Sequence, residues 1–193
     1  MPRHAEDKDI IRGRILDATI EIFNERGLKF TMDELAQKLA MSKKTIYSVF
    51  PDKHALLYEM VDYVFDYIRA EKTEVARKED LELEDKLRQV MGMLTDKFEN
   101  IDLSKLHILS EKYPDVYAHV AERLENQWEE TIELLNRGVK EGIFREFSIP
   151  IFKLMMESTL ESFFRNDILI RNKISYREAL DQIVDILLEG IAI

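Results

Sequence analysis

The residues best equipped for chemistry in this 193-residue chain lie together in "SKKTIYSVF", residues 42–50. Lys43, Lys44, Tyr47 and Ser48 supply two cations, a phenol and a hydroxyl, and no carboxylate intervenes. On a helical wheel these four fall on one face, while Ile46, Val49 and Phe50 fall at i, i+3 and i+4 on the other. The polar face suits phosphate oxygens and base-edge acceptors in a DNA major groove. The start of such a helix adds unpaired N–H groups and the positive end of its dipole. Taken alone, these nine residues fit a merely solvated helix face equally well, so the elements around them must decide.

The neighbouring elements carry explicit start and stop signals. Thr31, with Glu34 three residues on, forms a capping box that opens a short helix over 31–39, whose inner face is Leu35, Ala36 and Leu39. "AMS" makes a three-residue turn, and Ser42 caps the next helix, 42–50. Pro51 ends that helix, and Asp52 caps a fourth that runs over 52–78 without Gly or Pro. Upstream, Ile11, Ile15, Ala18, Thr19, Ile22 and Phe23 trace a 3.6-residue stripe, and Gly27 stands at a C-terminal cap. Two short capped helices around a tight turn constitute a helix-turn-helix, which lowers the weight of the solvated-face reading.

The segment "TMDELAQKLAMSKKTIYSVFPDKHALL", residues 31–57, closely resembles the DNA-binding part of TetR-type (TetR/AcrR-like) transcriptional regulators. The matching positions are Thr31, Ala36, Ser42, Thr45-Ile46-Tyr47, Phe50, Lys53 and Ala55-Leu56-Leu57, with "ILDATIEIFNERG" similar to the family's first helix. The resemblance implies that Thr31 caps and touches a phosphate, and that Lys43 and Lys44 point at bases. It implies that Thr45 and Tyr47 meet phosphates or base edges, with Ser48 beside them, and that Lys53 clamps the backbone. Ile46 and Phe50 would be core. Three positions depart from the pattern: Ala40 replaces a turn glycine, Lys44 a frequent glycine, and Val49 a common aromatic or histidine. An alanine in a left-handed turn is strained, so a different turn geometry is an open expectation. The arm "MPRHAEDKD" reads as a tail rather than a minor-groove arm.

Composition bounds the rest. Formal net charge is −10, but residues 1–55 hold ten Lys+Arg against nine Asp+Glu, so the acid lies in the remainder. Local rather than net charge decides what a surface can meet. Cysteine is absent and glycine (6) and proline (4) are scarce, which excludes a disulfide framework and disfavours a turn-rich β fold. No apolar run reaches the roughly 20 residues of a membrane span and no signal peptide is evident, so the expectation is cytoplasmic. The fold class expected is all-α with about nine helices: an N-terminal helix-turn-helix domain over 1–54 and a helical effector-binding and dimerisation domain over 55–193. Beyond residue 80 the helices fall near 82–99, 103–111, 115–138, 149–170 and 175–191, with Gly138 and Gly142 flanking a turn.

The last two helices are apolar more than halfway round, so each must bury two faces. One serves the chain's own core and the other a two-fold partner, with Phe163, Phe164, Ile183, Ile186 and Leu187 as interface candidates. Pocket candidates are Met91, Leu94, Phe98 and His107, then Tyr113, Trp128, Met155 and Met156; methionines and aromatics at helical spacing also simply fill cores, and His107 reads more readily as structural. The acidic half favours a cationic or neutral ligand. Asp115 and His119 share a helix face, yet four scattered histidines form no metal set and no Glu-x-x-His pair or phosphate loop occurs. No cofactor, metal or catalytic residue is expected. The resemblance implies a homodimeric, ligand-responsive repressor on a near-palindromic operator; the alternative is an all-helical small-molecule-binding protein or enzyme without operator binding.

Overall fold

The local signals place the helices where the chain can satisfy their ends. The computed structural model describes residues 3–92 and 107–193, with side chains from 8–92 and 108–193. The described residues form eleven α-helices: α1 (Arg3–Arg26), α2 (Met32–Lys38), α3 (Lys43–Val49), α4 (Lys53–Arg77), α5 (Leu83–Met91), α6 (His107–Lys112), α7 (Pro114–Glu125), α8 (Glu129–Lys140), α9 (Ile149–Arg165), α10 (Ile168–Asn172) and α11 (Tyr176–Glu189). A 3-10 turn, Gly27–Lys29, joins α1 to α2, and Gly27 adopts φ +58° as its cap position requires. Strand pairing among the described residues is limited to one isolated bridge, Phe144 to Ala192.

The chain is all-α, but two expected helices are each divided. The span 115–138 breaks at Asn126–Trp128 to give α7 and α8. No Gly or Pro marks that break. Its cause is tertiary: Gln127 turns inward to donate to the Phe65 carbonyl (3.1 Å), and Trp128 is buried beside it. The span 149–170 likewise breaks at Asn166 into α9 and α10, with Asn166 bonding back to Ser162. Of 82–99 and 103–111, residues 93–106 lie outside the described residues. Gly138 lies inside α8 rather than at a turn, because a Cβ there would stand 2.2 Å from the buried Phe144 ring. The N-terminal arm is helical from Arg3, as the opening of α1, instead of a tail.

Two packing units share α4. Helices α1, α2 and α3 pack on one another around Ile15, Leu16, Phe23, Leu35, Ile46 and Phe50, all at most 2% exposed. Helix α4 also packs on α5, α7 and α8, reaching α7 already at His54. A polar seam ties α4 to α7. The Asp62 carboxylate receives Arg123 (2.9 Å) and pairs with His119 (2.7 Å), Arg123 reaches Asp66 as well, and Tyr58 stacks on His119 at 4.1 Å. Asp115 pairs with His54 (2.5 Å), whose hydrogen bond lowers the carboxyl's pKa. Asp115 and His119 thus share a face as expected, and that face is a structural joint.

Candidate nucleic-acid interface and effector cavity

The helix-turn-helix is fixed by its caps. The Glu34 amide donates to Thr31 Oγ1 (3.2 Å), and the Thr31 amide donates to Glu34 Oε2 (2.8 Å), the reciprocal capping box. That backbone bond is the main reason the Glu34 carboxyl lies below its usual range, and Arg26 adds to it. At the other end of α2, Ala40 adopts φ +51°. The Met41 amide reaches the Ala36 carbonyl (3.0 Å) and the Ala40 amide reaches Gln37 (3.1 Å). These two bonds are a Schellman closure. The turn therefore keeps the left-handed geometry that glycine serves best, with alanine bearing the strain. Ser42 then caps α3 by accepting from the Thr45 amide (3.1 Å).

Helix α3 divides as its sequence divides. Ile46 is fully buried, Phe50 just beyond it nearly so, and Val49 half-buried. Lys43, Lys44, Tyr47 and Ser48 are exposed, Tyr47 at 46%. The cations on this face differ in state. Lys43 pairs with Asp33 on α2 (2.5 Å), whereas Lys44 has no partner among the described residues. Thr45 is half-buried and its hydroxyl bonds to Ser42 (2.8 Å), while Ser48 donates back to the Thr45 carbonyl (2.6 Å). Thr31 is occupied by its capping duty.

Lys53 departs from the expected backbone clamp. Its amine turns inward and donates to the carbonyls of Leu28 (2.7 Å) and Phe30 (2.5 Å), with Nζ 3.9 Å from the Phe30 ring centroid. Burial lowers its pKa, with Lys112 adding to the effect. The carbonyls at the α1–α2 corner need a donor, and the first turn of α4 supplies it. Lys53 is a tie within the fold.

A partly open cavity of about 130 Å³ lies between α1, α4 and the later helices. Its walls come from α1 (Ile20, Phe23), α4 (Met60 to Lys72), α5, α7 and α8, and from α9 and α11. Of the expected lining, Met91, Trp128 and Met156 face it. Met155 does not: one residue along α9 from Met156, it is rotated about 100° away and is 52% exposed. Tyr113 is half-buried at the start of α7, away from this space. Leu94, Phe98 and the His107 side chain lie outside the described residues.

Four polar side chains at the wall were not anticipated: Lys72, Gln127, Thr131 and Tyr176. One was legible. Met60, Val64, Ile68 and Lys72 recur every four residues, which puts the lysine on the apolar stripe of α4. Burial drives the Lys72 amine down to about 8, against the opposing pull of Glu130 and Glu129. Burial also raises the Tyr176 phenol, whose ring stacks on Phe164 (5.6 Å). The Thr131 hydroxyl makes no hydrogen bond among the described residues.

The interface candidates separate into two groups. Phe164 and Leu187 are 3% and 4% exposed within the single chain, so they belong to its own core and cannot meet a partner. Phe163 and Ile183 are half-buried and Ile186 is 64% exposed. Ile151, Leu154 and Met155 on α9 are each more than half exposed.

A family model described as "Bacterial regulatory proteins, tetR family" matches residues 15–60. The chain is 24% identical over 178 residues to the uncharacterized HTH-type transcriptional regulator YvaF of Bacillus subtilis, covering 92% of this chain and 94% of that one. It is 23% identical over 155 residues to the HTH-type transcriptional repressor KstR2 of Mycobacterium tuberculosis, at 75% and 74% coverage. A TetR-family regulator from Cytophaga hutchinsonii has the same fold, with TM-score 0.71, 18% identity and 97% of both chains covered. The capped helix-turn-helix, the match of residues 15–60 to the tetR family model and a fold shared over nearly the whole length agree: the chain resembles the TetR-family bacterial transcriptional regulators in its DNA-binding segment and in its fold.

Proposed function

We propose that this regulator is a ligand-responsive repressor that binds a near-palindromic operator as a homodimer. The division is a DNA-binding unit over 1–54 and an effector-binding and dimerisation unit over 55–193. The observation that carries the reading is the outward face of α3, where Lys44 and Tyr47 stand exposed on a helix locked by caps at Thr31 and Ser42. Lys44 meets bases, Tyr47 and Thr45 meet phosphates or base edges, and Lys43 exchanges Asp33 for DNA. The apolar side chains left exposed on α9 and α11 fit a two-fold interface, which would space two recognition helices about one DNA turn apart. The role is regulatory rather than enzymatic, and cytoplasmic. Among the described residues no helix is long and apolar enough to cross a membrane.

The cavity supplies the switch. Its walls include both α1, on which α2 and α3 pack, and α4. A ligand that fits better when α1 and α4 separate shifts the population toward a spacing that no longer matches the half-sites. The test is a mobility shift on the DNA flanking the protein's own gene. Retardation by wild type at low salt and its loss in Lys44→Glu are expected. No retardation, or unchanged retardation by the variant, refutes the reading.

A further inference from the structure

We propose that the cavity takes an elongated, mostly apolar molecule with a single acidic group, the acid pairing with Lys72 and the apolar tail reaching Ile20 and Phe23. The inference rests on the reading of the cavity as an effector site and names the chemistry of the effector.

The shape comes from α4. Its wall residues run from Met60 to Lys72, twelve steps along the helix, which at 1.5 Å each is about 18 Å. At one end the space touches Ile20 and Phe23 of α1, and its middle is lined by side chains such as Val64, Ile68 and Leu160. At the other end stands Lys72. The contact from Thr73 Oγ1 to Glu130 Oε1 (2.6 Å) holds that end of α4 against the start of α8, which carries Thr131, while Gln127 bonds α4 at Phe65. The α4 wall is therefore long, with its one cation at one end.

The charge comes from Lys72. Its amine lines the cavity and makes no ion pair or hydrogen bond among the described residues. Glu130 is engaged by Thr73, and Glu129 acts on the amine only at a distance. An amine set in an apolar wall, with Glu130 and Glu129 near enough to act on it but neither bonded to it, remains costly as a cation. A ligand carboxylate removes that cost and gains a charge-assisted bond, which no alkyl or hydroxyl group does to the same degree. Gln127 commits one N–H of its amide to Phe65 and keeps the second, and that N–H and the Thr131 hydroxyl can both donate to the same carboxylate. The overall acidity of this half favours cationic or neutral ligands at long range, but the contact inside the cavity has the opposite sign, and contact governs selectivity.

The experiment is calorimetric titration of full-length protein with straight-chain carboxylates from octanoate to hexadecanoate, each beside the alcohol of equal length. Wild type should bind a carboxylate about ten- to a hundredfold more tightly than its alcohol. Lys72→Met should abolish that preference while still binding the alcohol, showing that the cavity survives. Val61→Phe, which fills the far end, should move the optimum to shorter chains with the acid preference intact. Equal affinity of wild type for acid and alcohol, an unchanged preference in Lys72→Met, or no saturable binding of any member overturns the proposal. Operator binding by the ligand-free protein is measured alongside. Its loss would sink the regulatory reading, and its retention with any of those outcomes would sink only the ligand assignment.

Discussion

Replacing Ala40 by glycine should make the protein more stable, an unusual outcome for that substitution. Alanine at φ +51° bears the clash between Cβ and carbonyl that disfavours left-handed L-residues, about 1–2 kcal/mol. Glycine removes it but loosens the unfolded chain, at a cost of about 0.4–1 kcal/mol. The balance is a gain of about 0.5–1 kcal/mol. At roughly 2–4 °C per kcal/mol for a chain of this size, Tm should rise by about 1–4 °C. The residue lies outside α2 and its amide bond to Gln37 is kept, so no helix propensity is lost. Thermal unfolding followed by circular dichroism, at one fixed protein concentration, reads the effect. Ala70→Gly, exposed in the interior of α4, is the control and should lower stability by about 1 kcal/mol. An Ala40→Gly protein with unchanged or lowered Tm would refute the strained closure.

Lys53→Met should destabilise by about 1.5–3 kcal/mol, because the Leu28 and Phe30 carbonyls lose a charged donor; the salt dependence of operator binding should not change, and a shallower slope would return Lys53 to the DNA. Lys72→Met should raise Tm at pH 7. The amine's pKa is about 8 in the fold against 10.5 when unperturbed, so the unfolded state binds more protons between those values and wild-type stability should climb as pH rises through that window. Denaturant midpoints that stay flat from pH 8 to 10.5, with the variant no more stable than wild type, would contradict the buried amine. Ile186→Asp should convert a dimer to a monomer in sedimentation and abolish operator retardation while far-ultraviolet dichroism is kept; a dimer that persists places the two-fold elsewhere.

What could be read from the sequence were features settled within four or five residues. The caps at Thr31, Ser42 and Asp52, the inward Ile46 and the outward Lys44 are all local, and each lies where its neighbours dictate. What could not be read depends on partners far along the chain. The break after α7 follows from a bond between Gln127 and Phe65, 62 residues apart. Lys53 looked like a phosphate clamp because its motif position said so, but two carbonyls 23 and 25 residues earlier claim it. Phe164 and Leu187 looked like interface because apolar residues encircle their helices, and only the packing of α9 on α11 decides which arc stays free. Lys72 is the instructive omission. It stands four residues beyond Ile68 and eight beyond Val64, so a cation on the apolar stripe of α4 is a local pattern that the sequence already displays.

The inward turn of Lys53 also decides where the protein can bend. Its amine fastens the first turn of α4 to the corner between α1 and α2, so the recognition unit and the start of α4 must travel together as one block. The polar seam to α7 starts in the same turn, with His54 on Asp115, and continues through Tyr58 on His119 to Asp62, so α7 is joined to that block as well. A change in the pitch of α4 or α7 therefore tilts the whole block rather than α3 alone. A molecule that shifts its walls by a fraction of an ångström can thus misalign two helices that must enter successive grooves in register.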